Sequence, residues 1–211
     1  MDIPTTKKKA VKSRRSQEER SATSRASLIE SAIRHMRERG IAATNMTEIA
    51  ADANLTRGAI QHHFNSRADL ILAAVSELDE RIARAFDSYS VPDGTYGIAR
   101  VAALFDHVVA LTTSSDAIAV YDLWSASRGD PALGHSTLEL QRPLTEQFRQ
   151  FWRRNLEGHI PPDLIEVSLD VALMISQGAA MARLLSQTPE MIDRTLLETR
   201  SMLLESIRAR L

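Results

Sequence analysis

Asn45-Met-Thr-Glu-Ile-Ala-Ala-Asp-Ala-Asn-Leu-Thr-Arg-Gly-Ala-Ile-Gln-His-His-Phe-Asn-Ser-Arg67 is the stretch on which the reading of this chain turns. Asn45 can cap a first short helix, its side-chain oxygen accepting from the backbone of Thr47 or Glu48. Glu48, three residues on, can return a bond to the cap and complete a capping box. Met46, Ile49, Ala50 and Ala53 then recur at helical spacing on one apolar side. Asn54 tolerates the left-handed backbone that a sharp corner needs. Leu55 drops into the core between the helices, and Thr56 caps the second helix. In that second helix Ile60 and Phe64 lie four apart and share the buried face. The layout is that of a helix-turn-helix, a device for placing one helix in the DNA major groove.

The opposite face of the second helix carries Arg57, Gly58, Gln61 and His62. Arg57 has the geometry to donate two bonds to guanine O6 and N7, and Gln61 to pair with adenine. Gly58 costs helix stability, about 1 kcal/mol against alanine, and offers close approach of backbone to a nucleic acid. Asn45, Thr47, Thr56, Ala59, His63 and Arg67 complete the expected contact set, the last two at the phosphates along the edge. Capped helix pairs with tight turns also occur in proteins that never touch DNA, so spacing alone leaves both readings open.

These residues resemble a known family. Thr47-Glu48-Ile49-Ala50, Ala53 through Ile60, and His63-Phe64 with Ser66-Arg67 are similar to the DNA-binding domain of TetR-family transcriptional regulators, over about residues 20 to 75. Three positions depart from the family's habit: Gln61 stands where tyrosine is usual, Arg67 where lysine is usual, and Asn54 where glycine is frequent. The resemblance implies an all-α homodimer. Each chain would have a three-helix DNA-binding domain followed by a helical bundle for dimerisation and ligand binding. The partners implied are palindromic double-stranded DNA, a second copy of the chain and a small-molecule effector that releases the DNA. Repression is the sign expected. The rival reading is a helical DNA-binding or adaptor protein without small-molecule control.

Charge distribution points the same way. The 211 residues sum to −1, but residues 1–67 hold 13 Lys+Arg against 7 Asp+Glu, and residues 68–211 hold 13 against 20. A basic front and an acidic back suit a chain that offers one end to a polyanion. The chain has no cysteine, which excludes disulfides, thiol nucleophiles and cysteine-ligated metals. No phosphate loop, dinucleotide fingerprint, nucleophile elbow or zinc-helix motif is present, so no catalytic residue, metal or cofactor is expected. No secretory signal is visible. The longest uncharged apolar stretch, Val171 to Ala182, falls short of the ~20 residues that span a bilayer. A cytoplasmic protein with no membrane partner is the expectation.

Three regions are expected: a disordered basic arm over 1–16, a helix-turn-helix domain over 17–67, and a helical ligand-binding and dimerisation domain over 68–211. The periodicity predicts helices at Glu18–Arg39, from Ser66 to about Phe86, and at Ile98–Thr113, Asp116–Arg128, Pro131–Glu157, Asp163–Gln187 and Pro189–Arg210, with Pro143 kinking or breaking the third of this last group. Helix 163–187 is apolar on two sides, so one side is available to a partner. The expected dimer set is Val171, Ile175, Gly178 and Ala182, joined by Leu196 and Leu203 of the last helix. Most of the aromatic residues lie between 105 and 152. They serve as core or as the wall of an apolar pocket, and Phe105, Tyr121, Trp124, Phe151, Met174 and Gln177 are the candidates for that pocket.

Overall fold

The structure, a computed structural model, describes residues 6–129, 131–185 and 188–211, and the side chains among them other than those of residues 6–16, 131, 132, 135 and 138. Among the described residues the chain is all-helical: α1 (Thr6–Arg39), α2 (Met46–Asp52), α3 (Arg57–His63), α4 (Arg67–Asp87), α5 (Gly97–Thr112), α6 (Ser115–Ser127), α7 (Pro131–Leu156), α8 (Pro162–Leu184) and α9 (Pro189–Arg208). Two compact units divide at Ala74/Val75, within α4.

In the first unit, α1, α2 and α3 pack on one another. Leu28, Ala32, Ile33, Met36, Ile41, Ile49, Ile60, Phe64, Leu70 and Ile71 fill the centre. The corner is built as its residue types dictate. Asn45 Oδ1 accepts from Thr47 N at 2.8 Å, and Thr56 Oγ1 accepts from Ala59 N at 3.2 Å. Asn54 adopts φ 56°, the left-handed conformation that lets Leu55 N donate back to Ala50 O at 2.8 Å. The return bond of a capping box is not what Glu48 makes: its carboxylate takes Arg39 Nη1 at 2.8 Å and ties α2 to the end of α1.

The expected arm over 1–16 is answered only in part. Residues 1–5 lie outside the described residues. Residues 6–16 continue α1, so that helix starts well before Glu18. This stretch has no glycine or proline, and six of its eleven residues are lysine or arginine, both good helix formers.

In the second unit α8 is central, packing against α5, α6, α7 and α9. Its length and composition, 23 apolar-rich residues, would suffice to cross a membrane; half of the window that passes is buried by these four helices, which accounts for its apolar character. Trp152 is fully buried, and its indole N–H donates to Ser168 Oγ at 2.9 Å, linking α7 to α8. Phe86 stacks on Phe148 at 4.1 Å between ring centroids and meets Phe151 edge to face, with centroids 4.4 Å apart. α7 runs through Pro143 as one helix. That proline is exposed, so the carbonyl it leaves unpaired by lacking an N–H is within reach of solvent.

Candidate nucleic-acid interface and helical cavity

α3 presents Arg57, Gly58 and Gln61 to solvent on the side away from Ile60 and Phe64, with His62 beside them; Ala59 and His63 are half-buried. Asn45, Thr47 and Thr56, at the starts of α2 and α3, are exposed too. The mount beneath is fastened by side chains to which no sequence motif points. Asp52, at the end of α2, accepts from Ser31 Oγ at 2.6 Å and from Arg34 Nη2 at 2.6 Å, both on α1. The Ser31 bond first, then the Arg34 bond and charge, hold the Asp52 carboxyl below its ordinary value. The Arg25 guanidinium lies 5.2 Å over the Phe64 ring. No spacing rule connects residues this far apart in the chain, so only the fold brings them together.

Two of the expected phosphate contacts change character. Arg67 Nε donates to Thr44 O at 2.9 Å, and its Nη2 donates to Ile41 O. The guanidinium is therefore committed to the loop between α1 and α2, because the chain turns at Ser66 and brings the start of α4 beside those carbonyls. Arg67 is a clamp of the domain. His63 is held below the usual imidazole value by burial first, then by the charges of His62 and Arg25. At neutral pH it is a neutral hydrogen-bonding ring.

The second unit holds a partly open cavity of about 110 Å³. Ile82, Val120, Leu144, Phe148 and Leu173 make its apolar wall. Tyr121 and Trp124 close one side, their rings 4.8 Å apart and edge to face. Thr112, Gln141, Thr145 and Gln177 supply the polar groups. Of the six residues expected at a pocket, Tyr121, Trp124 and Gln177 line this one. Phe105 and Phe151 do not: both are buried in the aromatic and aliphatic core, at 1% and 2% exposure. Met174 is on another face, 72% exposed. The helical phase of α8 turns it away from Leu173 and Gln177, which a reading of spacing alone does not settle.

Asp79 sits next to this cavity, and no motif in the sequence points to it. It shares the inward side of α4 with Ile82 and lines a neighbouring cleft with Glu139, Pro143 and Leu144 of α7. Its Oδ1 is buried and has no hydrogen-bond partner. Desolvation alone lifts its carboxyl to about 7, from an ordinary 3.8. The folded state thus holds this proton more tightly than the unfolded chain. The stabilisation is fully present below about pH 4 and is lost as pH rises through about 7. Asp79→Asn is therefore expected to raise the melting temperature at about pH 8, by about 2–4 °C for each kcal/mol recovered in a chain of this length. The gain should shrink steadily as pH is lowered toward about 4; thermal unfolding across that range checks it, and a pH-independent gain would show that the buried charge is not its source.

A groove of about 210 Å³ runs along α8 and α9, lined by Met174, Ile175, Gly178 and Ala182 on one side and Met191 and Thr195 on the other. Gly178 is exposed, and a Cβ built there would meet nothing within 4 Å. Val167, Met174, Met181 and Leu185 continue an apolar, solvent-facing strip along α8. Val171, Ile175 and Ala182 are partly covered. Leu196 and Leu203, expected on this interface, instead face their own chain: both are buried, Leu196 with Ala179 and Ile192. The four-and-three spacing of α9 is spent on packing within the chain, and the large apolar residues it leaves outside are Met191, Leu197 and Met202.

Residues 28–74 match the family described as bacterial regulatory proteins, tetR family. The HTH-type transcriptional regulator TtgR of Pseudomonas putida is 45% identical over 78 residues, 36% of this chain and 37% of that protein. CymR of Pseudomonas putida, also an HTH-type transcriptional regulator, is 36% identical over 69 residues, 33% of this chain and 34% of that protein. The matched region thus spans little more than a third of the length of these relatives. The fold is shared far more widely. A TetR transcription regulator from Haloarcula marismortui superposes with a TM-score of 0.68 at 21% identity, covering 89% of this chain and 98% of that one. The multidrug binding protein EbrR, complexed with imidazole, does so with a TM-score of 0.54 at 22% identity, covering 83% and 93%. Residues 28–74 thus match the tetR family of bacterial regulatory proteins, and the chain has the all-helical fold of the solved regulators on which it superposes.

Proposed function

We propose that the chain is a cytoplasmic transcriptional regulator that binds a palindromic operator as a homodimer and is released by a small, mostly apolar effector. The observation that carries this reading is the exposed face of α3, with Arg57, Gly58 and Gln61 presented together on a helix whose other face is buried and clamped. A recognition helix needs that combination: polar groups free to meet base edges, and a rigid mount that fixes their register. Support for the effector comes from the cavity beside Tyr121 and Trp124, and from the fact that a protein of this fold is named as a multidrug binder. Support for the dimer comes from the solvent-facing apolar strip of α8.

The mechanism is a population shift. α4 lines the cavity through Ile82, and it follows α3 in the chain after a short turn from Phe64 to Ser66. An effector that binds only the dimer state with misaligned recognition helices lowers operator affinity by its differential affinity for the two states. Blocking polymerase is the simplest outcome of a dimer on an operator, so repression is the sign proposed.

Selection of bound fragments from random duplex DNA tests the reading. A palindrome with half-sites one helical turn apart, or a multiple of it, is expected. Recovery of DNA without a shared sequence would favour a binder without sequence choice. Within that palindrome, Arg57→Ala is expected to cost about 1–3 kcal/mol and to relax preference at one position of each half-site. Competition binding against single-base variants measures this, and unchanged discrimination would remove Arg57 from the set that reads bases.

A further inference from the structure

Asp79 Oδ1 is buried in the second unit without a hydrogen-bond partner, and burial shifts the carboxyl strongly upward. The residue lies on α4 one turn before Ile82, and Ile82 lines the apolar cavity. It is electrostatically coupled to Tyr121, which lines the same cavity from α6. Leu144 of α7 lines both that cavity and the cleft that contains Asp79, so the two spaces adjoin. The cleft holds about 200 Å³ and the cavity about 110 Å³, and both are partly open to solvent. Asp79 therefore lines a cleft that adjoins the mostly apolar cavity.

The charged residues that line the cleft are of one sign. Glu80 follows Asp79 on α4, paired to Arg84; Glu139 faces it from α7 across the cleft; the Tyr121 hydroxyl approaches from α6. Among the described residues, none that lines either space is lysine, arginine or histidine. A buried, unsatisfied carboxyl in such a setting is costly when ionised, and the cost is relieved by a partner that carries positive charge and N–H donors. An anionic ligand would meet the opposite situation.

We propose that the effector is a small organic cation: a protonated amine whose ammonium group donates to the Asp79 carboxylate while a single-ring apolar body fills the chamber walled by Trp124, Phe148 and Leu173. The chamber sets the size of the body, being on the order of the ~150 Å³ apolar cavity that admits benzene. This rests on the effector-pocket reading above and specifies its chemistry. Binding of the cation draws Asp79 into its ionised form, so affinity for the amine rises as pH rises through about 7.

Calorimetric titration of the full chain with phenethylamine and with phenethyl alcohol, equal in size and differing in charge, tests it. At about pH 8 the amine is expected to bind about 10- to 100-fold tighter than the alcohol, the size of one charge-assisted hydrogen bond. The preference should narrow below about pH 6, where Asp79 is protonated. Asp79→Asn should remove the preference and its pH dependence while leaving alcohol binding within a few-fold, which also reports that the chamber is intact. Equal binding of the two compounds, or a preference that survives Asp79→Asn, would overturn the cation assignment and leave the effector pocket standing. Binding of neither compound, with Trp124→Ala silent as well, would remove the pocket reading and this inference with it.

Discussion

Gly178→Arg is expected to yield monomers that no longer hold the palindrome. The position is exposed, in the middle of the groove on α8, and its missing Cβ has nothing within 4 Å. An arginine there has room in the isolated chain and none against a second helix crossing closely. The substitution also replaces a glycine inside a helix, which should add about 1 kcal/mol to the stability of the monomer. Fold and assembly are thereby separated: circular dichroism and melting temperature should be unchanged or improved while light scattering reports half the mass. Operator affinity should fall by about 10²- to 10⁴-fold, because two recognition helices linked in one particle gain that much over one. Gly178→Ala adds only a methyl group and should keep the dimer. A Gly178→Arg protein that remains dimeric on light scattering would place the interface on some other face.

The front unit is legible in the sequence almost residue by residue because its signals are local. Asn45, Asn54 and Thr56 act within three or four residues of themselves, and each makes the bond or adopts the backbone angle its chemistry favours. Glu48 and Arg67 show where local reasoning stops: each has a plausible nearby role, and each is taken by a partner from another helix or loop. The same limit operates in the back unit. Periodicity reveals the helices and shows that α8 is apolar on more than one side. It does not say which apolar stripe of α9 packs inward: Leu196 and Leu197 are adjacent in sequence, yet the first is buried and the second exposed. Nor does it find Asp79, whose significance comes from burial beside a cavity rather than from any motif. The early start of α1 escapes for a different reason. A run of positive charge reads as an arm, although its residue types also favour helix.

Trp152→Ala is expected to destabilise the second unit by about 3–5 kcal/mol, the usual range for removing a buried tryptophan. Trp152 is fully buried, with Phe148 and Leu156 one turn away on either side along α7, also buried. Its indole N–H donates to Ser168 Oγ, and Ser168 in turn donates to Ile165 O at 2.8 Å. Truncation therefore does two things: it opens a void that the surrounding helices cannot fully close, and it takes the indole donor away from the buried Ser168 oxygen. In a chain of this length about 3–5 kcal/mol corresponds to roughly 6–20 °C in melting temperature. Trp152→Phe separates the two effects. It keeps most of the volume and loses the hydrogen bond, so it should cost about 1–3 kcal/mol, the range for a buried polar group left without its partner. Trp152→Phe combined with Ser168→Ala should cost less than the two single changes added together, because the orphaned oxygen is then gone. The functional consequence follows from Phe148, which lines the cavity proposed to hold the effector and is seated one turn before Trp152. Once its neighbour is removed that ring gains freedom, and small ligands should bind Trp152→Ala more weakly than the parent even at temperatures where both are folded. A Trp152→Ala protein that melts within a degree or two of the parent and binds ligand equally well would mean that α7 and α8 are held together by something other than this buried pair.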